Sequence, residues 1–150
     1  MKNKLILKWA ILCAGTSVDQ RNNNVTLFNL IEELKIKKDV IPKLPVKKEG
    51  HSVLPVHMEL AVCWSREDVG TALLFEVLVS FISPKGRVIA RMINPTEIAS
   101  DKLRTRLILG IEALGIEEEG NYKFEIKAKL KGDPNFKKYS EVPLLIKFKD

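Results

Sequence analysis

The sequence predicts an all-β protein, an antiparallel Greek-key sandwich of about eight strands, immunoglobulin-like or related. The first observation is a period-two alternation of apolar and polar residues along most of the chain, which indicates strands with one buried face. The second is a set of Asn-, Gly- and Pro-rich turns between those segments. The third is a Gly-Asn-Tyr sequence that resembles the tyrosine corner of Greek-key sandwiches. With 150 residues, the chain has the length of one domain, residues 1–150.

The middle of the chain contains the first alternating segments. One face of a predicted strand carries Val56, Met58, Leu60, Val62 and Trp64. Residues 73–82 alternate in the same way, and a turn at 84–86 leads into a short strand at 87–93. Asn94-Pro95 is expected to end that strand.

The C-terminal part gives the clearest strand. Residues 103–111 alternate first, and residues 122–131 then place apolar side chains on one face and charged ones on the other. A turn at 132–135 precedes a closing strand at 142–148. One wet and one apolar face per strand is the pattern of two antiparallel sheets packed together.

The N-terminal third is less regular. Residues 5–14 are apolar on both faces, which suits a central strand. Residues 25–36 fit a strand, bulged or kinked near Glu32-Glu33, although the spacing of their leucines also fits a helix. We predict the strand, because an Asn-rich turn precedes it. Residues 37–54 are expected to form a long exposed connection.

Gly120 and Tyr122 stand at the start of the clearest strand. In a tyrosine corner, a Tyr near the start of a strand returns its hydroxyl to the backbone a few residues upstream. We therefore assign Gly120 and Tyr122 a structural role.

The composition is that of an ordinary globular chain. Hydrophobic residues make up 45% and charged residues 29%, with a net charge of +6. The start of the chain imitates a secretory signal, but Lys8 interrupts its apolar run. No segment approaches the ~20 apolar residues that span a bilayer. We expect a cytoplasmic protein without a membrane partner, and two buried thiols, Cys13 and Cys63, whose pairing stays open.

The familiar catalytic and metal-binding motifs are missing. His51 and His57 are expected at the surface, without the spacing of a zinc site. Neither a G-x-S-x-G elbow nor a glycine-rich phosphate loop occurs, and Ser17 with Asp19 is expected to cap a turn. Weak Ca²⁺ binding at 117–119 is left open. The prediction is that the protein is not an enzyme and has no catalytic, cofactor-binding or metal-binding residues.

One basic feature could contact a polyanion. Four lysines alternate with core residues along one predicted strand and form a lysine row: Lys123, Lys127, Lys129 and Lys131. Lys147 and Lys149 lie on the next predicted strand. A cationic face of this kind attracts phosphate, but it lacks the interleaved aromatic residues on which bases stack. Nucleic-acid binding there is expected to be weak and sequence-nonspecific.

The opening of the chain resembles a bacterial family of small uncharacterised domains. The resemblance lies in KWAILC (8–13), SVDQ (17–20) and LFNLIEE (27–33). It implies a β-sandwich fold and a bacterial origin, but no activity. The function hypothesis is a protein-interaction or assembly module that acts through sheet edges or loops, with homo-oligomers left open. The alternative is a polyanion binder that uses the lysine row.

Overall fold

The computed structural model describes residues 4–150, which form two β-sheets packed face to face. In chain order the strands are β1 (Ile6–Val18), β2 (Val25–Leu30), β3 (Glu33–Lys37), β4 (Ser52–Ser65), β5 (Leu73–Ile82), β6 (Val88–Ile98), β7 (Arg104–Ile116), β8 (Gly120–Leu130) and β9 (Lys137–Lys149). The described chain contains no α-helix, and its one helical segment is a 3₁₀ turn at Ile41–Lys43. The predicted all-β sandwich is confirmed, with nine strands among these residues instead of about eight.

The strand order is that of an immunoglobulin-like sandwich. One sheet has the order β2-β1-β4-β7, and the other has the order β3-β9-β8-β5-β6. Strands β1, β4 and β7 correspond to A, B and E of that fold, whereas β5, β8 and β9 correspond to C, F and G. All neighbours are antiparallel except β3 and β9, which run parallel.

Residues 25–36 form two strands that belong to different sheets. The chain crosses between the sheets at Ile31 and Glu32: the amide of Ile31 donates to the carbonyl of Leu12, and the carbonyl of Glu32 accepts from the amide of Leu145. The helical interpretation is therefore wrong, and the kink predicted near Glu32-Glu33 is a change of sheet. The helical spacing does not mark one buried face: Ile31 and Leu34 pack against the core, whereas Leu30 is 58% exposed.

Several predicted boundaries are wrong: β7 continues to Ile116 instead of ending near 111, and β9 begins at Lys137 instead of 142. Strand β6 does not end at Asn94-Pro95 but continues to Ile98, because it is an edge strand, where a proline costs no ladder hydrogen bond on its open side. The connection after β3 is shorter than expected, since β4 already begins at Ser52. His51, predicted at the surface of this connection, is 5% exposed.

The core fills the space between the sheets around β4. Trp64 is fully buried and meets the rings of Phe75 and Tyr139 edge to face, at centroid distances of 5.5 and 5.0 Å. At the other end Phe81 stacks on Tyr122 at 5.2 Å. The Trp64 contacts join the two sheets, whereas Phe81 and Tyr122 both belong to the five-stranded sheet. One hydrophobic core of buried residues holds the two layers together.

Candidate assembly edge and anion-contact surface

The predicted lysine row lies on the outer face of β8, and carboxylates surround most of it. Lys123 Nζ lies 2.9 Å from Glu141, and Lys127 Nζ lies 3.3 Å from Glu125. Lys129 Nζ lies 4.0 Å from a Glu76 carboxylate oxygen on β5. Lys131 is exposed just beyond the end of β8.

Strands β9 and β3 add acidic partners to the same face. Glu141 accepts hydrogen bonds from Lys138 and Lys123, and these bonds hold the pKa of its carboxyl below the usual range. Lys147 is paired with Glu33 of β3 at 3.2 Å. The outer face of this sheet is thus a network of alternating charges, and a phosphate would have to displace a carboxylate at most of these lysines.

The Tyr122 side chain forms the corner that the sequence indicates. Its hydroxyl accepts hydrogen bonds from the amides of Glu117 and Glu118, at 3.0 and 3.1 Å, and donates to the carbonyl of Glu118 at 2.7 Å. Gly120 has φ +140°, and a Cβ there would lie 2.9 Å from Pro84. Both residues therefore fix the turn between β7 and β8.

Three of the four sheet edges carry features that discourage strand pairing. Strand β2 has six residues and contains Asn29 at φ +50°. Strand β3 has five residues, including Lys35 and Lys37, and β6 contains Pro95. Short length, irregular backbone, lysine and proline are the usual ways in which proteins protect an edge.

The fourth edge, β7, has none of these features. It is 13 residues long and contains neither proline nor lysine, and within residues 4–150 it pairs only with β4. Between Arg106 and Glu112 it carries no charge. Gly110 is exposed, and nothing would lie within 4 Å of a Cβ there. From Arg104 to Ile111, where its pairing with β4 has no register shift, the edge of β7 therefore offers a continuous row of backbone groups to another strand.

An apolar cleft of about 100 Å³ lies between the edges of β7 and β6. Leu109 and Ile111 line it from β7, while Met92 lines it from β6. Met92 is 40% exposed, although its strand partner Val79 is buried. A strand added to β7 would thus place alternate side chains toward an apolar surface.

A second surface lies on the outer face of the four-stranded sheet, where Trp9, Arg104 and Arg106 line a cleft of about 230 Å³. Arg106 donates to the carbonyl and the side-chain oxygen of Asn23, at 2.7 and 2.8 Å. Arg104 is exposed and forms no ion pair with any described residue. This surface combines unneutralised cations with an aromatic ring, which the lysine row lacks.

The two cysteines are free and buried. Burial raises the pKa of both thiols; at Cys63 the charges of Lys8, Arg104 and Arg106 oppose that effect. Cys13 pairs with Glu59 across the strands, and Glu59 lies four residues before Cys63 on β4. Four residues along a strand span about 13 Å, which is too far for a disulfide.

Most of the other polar groups singled out in the sequence have structural partners. Ser17 is exposed and forms no side-chain hydrogen bond within residues 4–150, so Asp19 alone caps the turn predicted for the pair. Asp19 accepts from the amide of Arg21 at 2.8 Å within the turn between β1 and β2. Glu117 pairs with Arg87 at 2.6 Å, and Glu118 with Lys85 at 3.4 Å. Residues 4–150 contain no group of three or more His, Cys, Asp and Glu arranged to hold a metal ion.

His57 is exposed and lies 3.4 Å from Glu112, also exposed, on β7. His51 immediately precedes β4 and is buried. Its ring lies close to Gly115 of β7, which also approaches Ile89 of β6. Their environments give them packing and surface roles.

Arg66 is a buried charge that sequence reasoning missed. It is 3% exposed, and its guanidinium donates to the carbonyls of Thr71, Ala99, Ser100 and Lys102 at 2.6–3.1 Å. The arginine therefore joins the loop after β4 to the loop between β6 and β7. Its position after the apolar run of β4 carries no sequence signal that separates it from an exposed arginine.

No family model matches the chain, and no curated protein matches it. The resemblance of the opening segment to a bacterial family stays a prediction. A search of the described residues finds no helix with the length and hydrophobicity needed to cross a bilayer.

Proposed function

We propose that this protein is a cytoplasmic, non-enzymatic assembly module that pairs with an extended strand of another polypeptide along the edge of β7. The observation that carries the proposal is the contrast among the four edges of the described sheets, because β7 alone is long, free of register shifts from Arg104 to Ile111 and uncharged at its centre. Strand addition supplies affinity through backbone hydrogen bonds and specificity through pockets for alternate side chains. The cleft beside Leu109 and Met92 would supply the pockets. The two free thiols suit a reducing compartment.

The charges on β7 limit the kind of strand that fits. Arg104 and Arg106 mark one end of the edge and Glu112 the other, with an uncharged centre between them. The matching segment is apolar at alternate positions in its middle, with an acidic residue facing the arginine end. Opposite charges across neighbouring strands favour one register over the others.

The experiment places a photo-crosslinking amino acid at Ala113, an exposed position on β7. The matched control places it at Thr26, an exposed position on β2 at the opposite edge of the same sheet. We expect cross-links from Ala113 to fall within one extended segment of the partner, and slower hydrogen exchange of β7 amides in the purified complex. Equal cross-linking at Thr26, or unchanged exchange in β7, would contradict the proposal.

A second candidate function, polyanion binding, is favoured by the surface around Trp9 and not by the lysine row. Arg104 and Lys8 are exposed there beside an indole ring, whereas Lys123 and Lys127 already have carboxylate partners. Phosphates would contact the cations, and a base would stack on Trp9. Three contacts to a single strand predict a log–log salt slope of about −2.

Trp9 provides the signal for testing this candidate, because Trp64, the only other tryptophan, is fully buried. Titration with a 20-nucleotide thymidine strand should quench Trp9 fluorescence. Lys8→Ala with Arg104→Ala should abolish the quenching. The control, Lys127→Ala with Lys129→Ala, should leave the quenching unchanged. Weaker binding in that control would show that the polyanion contacts the lysine row instead of the surface around Trp9.

A further inference from the structure

We infer that the strand that pairs with β7 is β7 of a second copy of this chain, placed antiparallel about a two-fold axis at Ile108. The inference rests on the proposed function, because it names the partner of that edge. An antiparallel pair about a two-fold axis presents the same edge twice, so the sequence of β7 must be complementary to itself. Two registers place an arginine opposite Glu112 of the second copy, one with Ile108 on the axis and one with Leu109 on it. The first uses Arg104, which has no ion pair among the described residues, and leaves Arg106 bound to Asn23.

Charge and the contact of Arg106 with Asn23 together define the register. Along β7 the outer face carries Arg104, Arg106, Ile108 and Gly110, because each pairs across the ladder with an outward-facing residue of β4. With Ile108 on the axis, Arg104 lies directly opposite Glu112 of the partner subunit. Symmetry repeats that contact, so two ion pairs flank an apolar centre in which Ile108 meets its own copy.

The remaining outer position also fits. In this register Arg106 lies opposite Gly110 of the partner subunit. Gly110 has no side chain and open space above it, so Arg106 keeps its bonds to Asn23 without a collision. Arg104, which has no ion-pair partner within the described chain, gains one.

The inner layer extends the core across the axis. Thr105, Leu107, Leu109 and Ile111 face inward, opposite inward residues of β4. In the dimer, Leu107 lies opposite Leu109 of the partner subunit, beside the cleft to Met92. Two four-stranded sheets would then join into one sheet of eight strands.

The size of the contact predicts a weak dimer. The paired segment of nine residues, 104–112, is about 30 Å long. A single strand pair lies at the low end of interface sizes, and each copy carries a net charge of +6. We therefore expect a dissociation constant of roughly 10 to 100 µM at 0.15 M salt, within reach of sedimentation velocity.

A charge swap tests the register. Glu112→Arg should weaken the dimer about tenfold, because two ion pairs become two contacts between arginines. Arg104→Glu should weaken it to a similar extent. The double variant, Arg104→Glu with Glu112→Arg, restores both pairs and should return the dissociation constant to within about threefold of the original. Circular dichroism and urea unfolding verify that each variant is folded; both residues are exposed.

The matched control combines Arg106→Glu with Glu112→Arg. This control should remain weak, and rescue by it in place of the Arg104 pair would overturn the register. A wild-type protein that stays monomeric at 500 µM would overturn the inference. Cross-links from Ala113 to a segment of a different protein would in that case leave the proposed function standing, whereas their absence would remove both.

Discussion

Replacing Tyr122 with phenylalanine removes one oxygen atom and three hydrogen bonds. The hydroxyl accepts from two backbone amides and donates to one carbonyl, and the residue is 1% exposed. At a net ~1 kcal/mol per bond, the upper limit of the loss is ~3 kcal/mol. Water can reach the turn from the exposed side of Glu119, so we expect about 2 kcal/mol.

Urea denaturation followed by circular dichroism measures this loss. With a slope of about 2 kcal/mol per molar, the midpoint should fall by about 1 M at an unchanged slope. Tyr139→Phe is the matched control, because that hydroxyl makes no hydrogen bond with any described residue while its ring packs on Trp64. An unchanged midpoint for Tyr122→Phe, or an equal loss for both variants, would refute the assignment of the corner.

The same hydroxyl predicts a dependence on alkaline pH. Burial raises the pKa of Tyr122, although the backbone bonds at Glu118 and Glu117 partly oppose it. The folded state therefore holds this proton more tightly than the unfolded state, whose pKa is about 10. Stability is fully present below that pH and is lost as pH rises above it. In Tyr122→Phe this part of the alkaline loss should be absent.

The remaining predictions concern the core and the loops. Arg66→Lys should cost about 2–4 kcal/mol in urea unfolding, because an ammonium cannot reach four carbonyls at once. Gly115→Ala should cost about 1–3 kcal/mol, since its Cβ would lie 2.4 Å from Ile89 Cγ2, and Ile89→Ala should relieve part of that loss. Cys13 and Cys63 should react with a thiol reagent only after unfolding; rapid reaction of the native protein would contradict their burial.

Local signals predicted the strands and the corner. The alternation in β8 follows directly from one face packing in the core, and Tyr122 with Gly120 marks the corner because its hydrogen bonds lie within five residues of the tyrosine. Features that depend on distant partners were not predictable from local sequence. The outward row of lysines looked cationic, because Glu76 and Glu141 belong to other strands.

The sequence predicted an interaction through sheet edges or loops, but it did not indicate which strand forms the edge. The residues of β7 form an ordinary alternating strand, and nothing in them shows that it pairs on one side only. Arg104 and Trp9 likewise lie far apart in the chain. They line one cleft because β1 and β7 both pair with β4, on its two sides. Neighbouring strands are chosen by packing over the whole molecule.

By itself, then, the sequence determined that this chain forms a β-sandwich, which side of most strands is buried and where the tyrosine corner lies. These features depend on the two-residue period of a strand and on contacts between residues close in the chain. The tertiary structure alone decided the strand order, the crossing of residues 31 and 32 between sheets, the burial of His51 and Arg66, and the open edge of β7. Each of these features depends on which distant segments become neighbours. A side chain is buried or neutralised, and a backbone edge is covered, only by the residues that lie beside it in the folded protein.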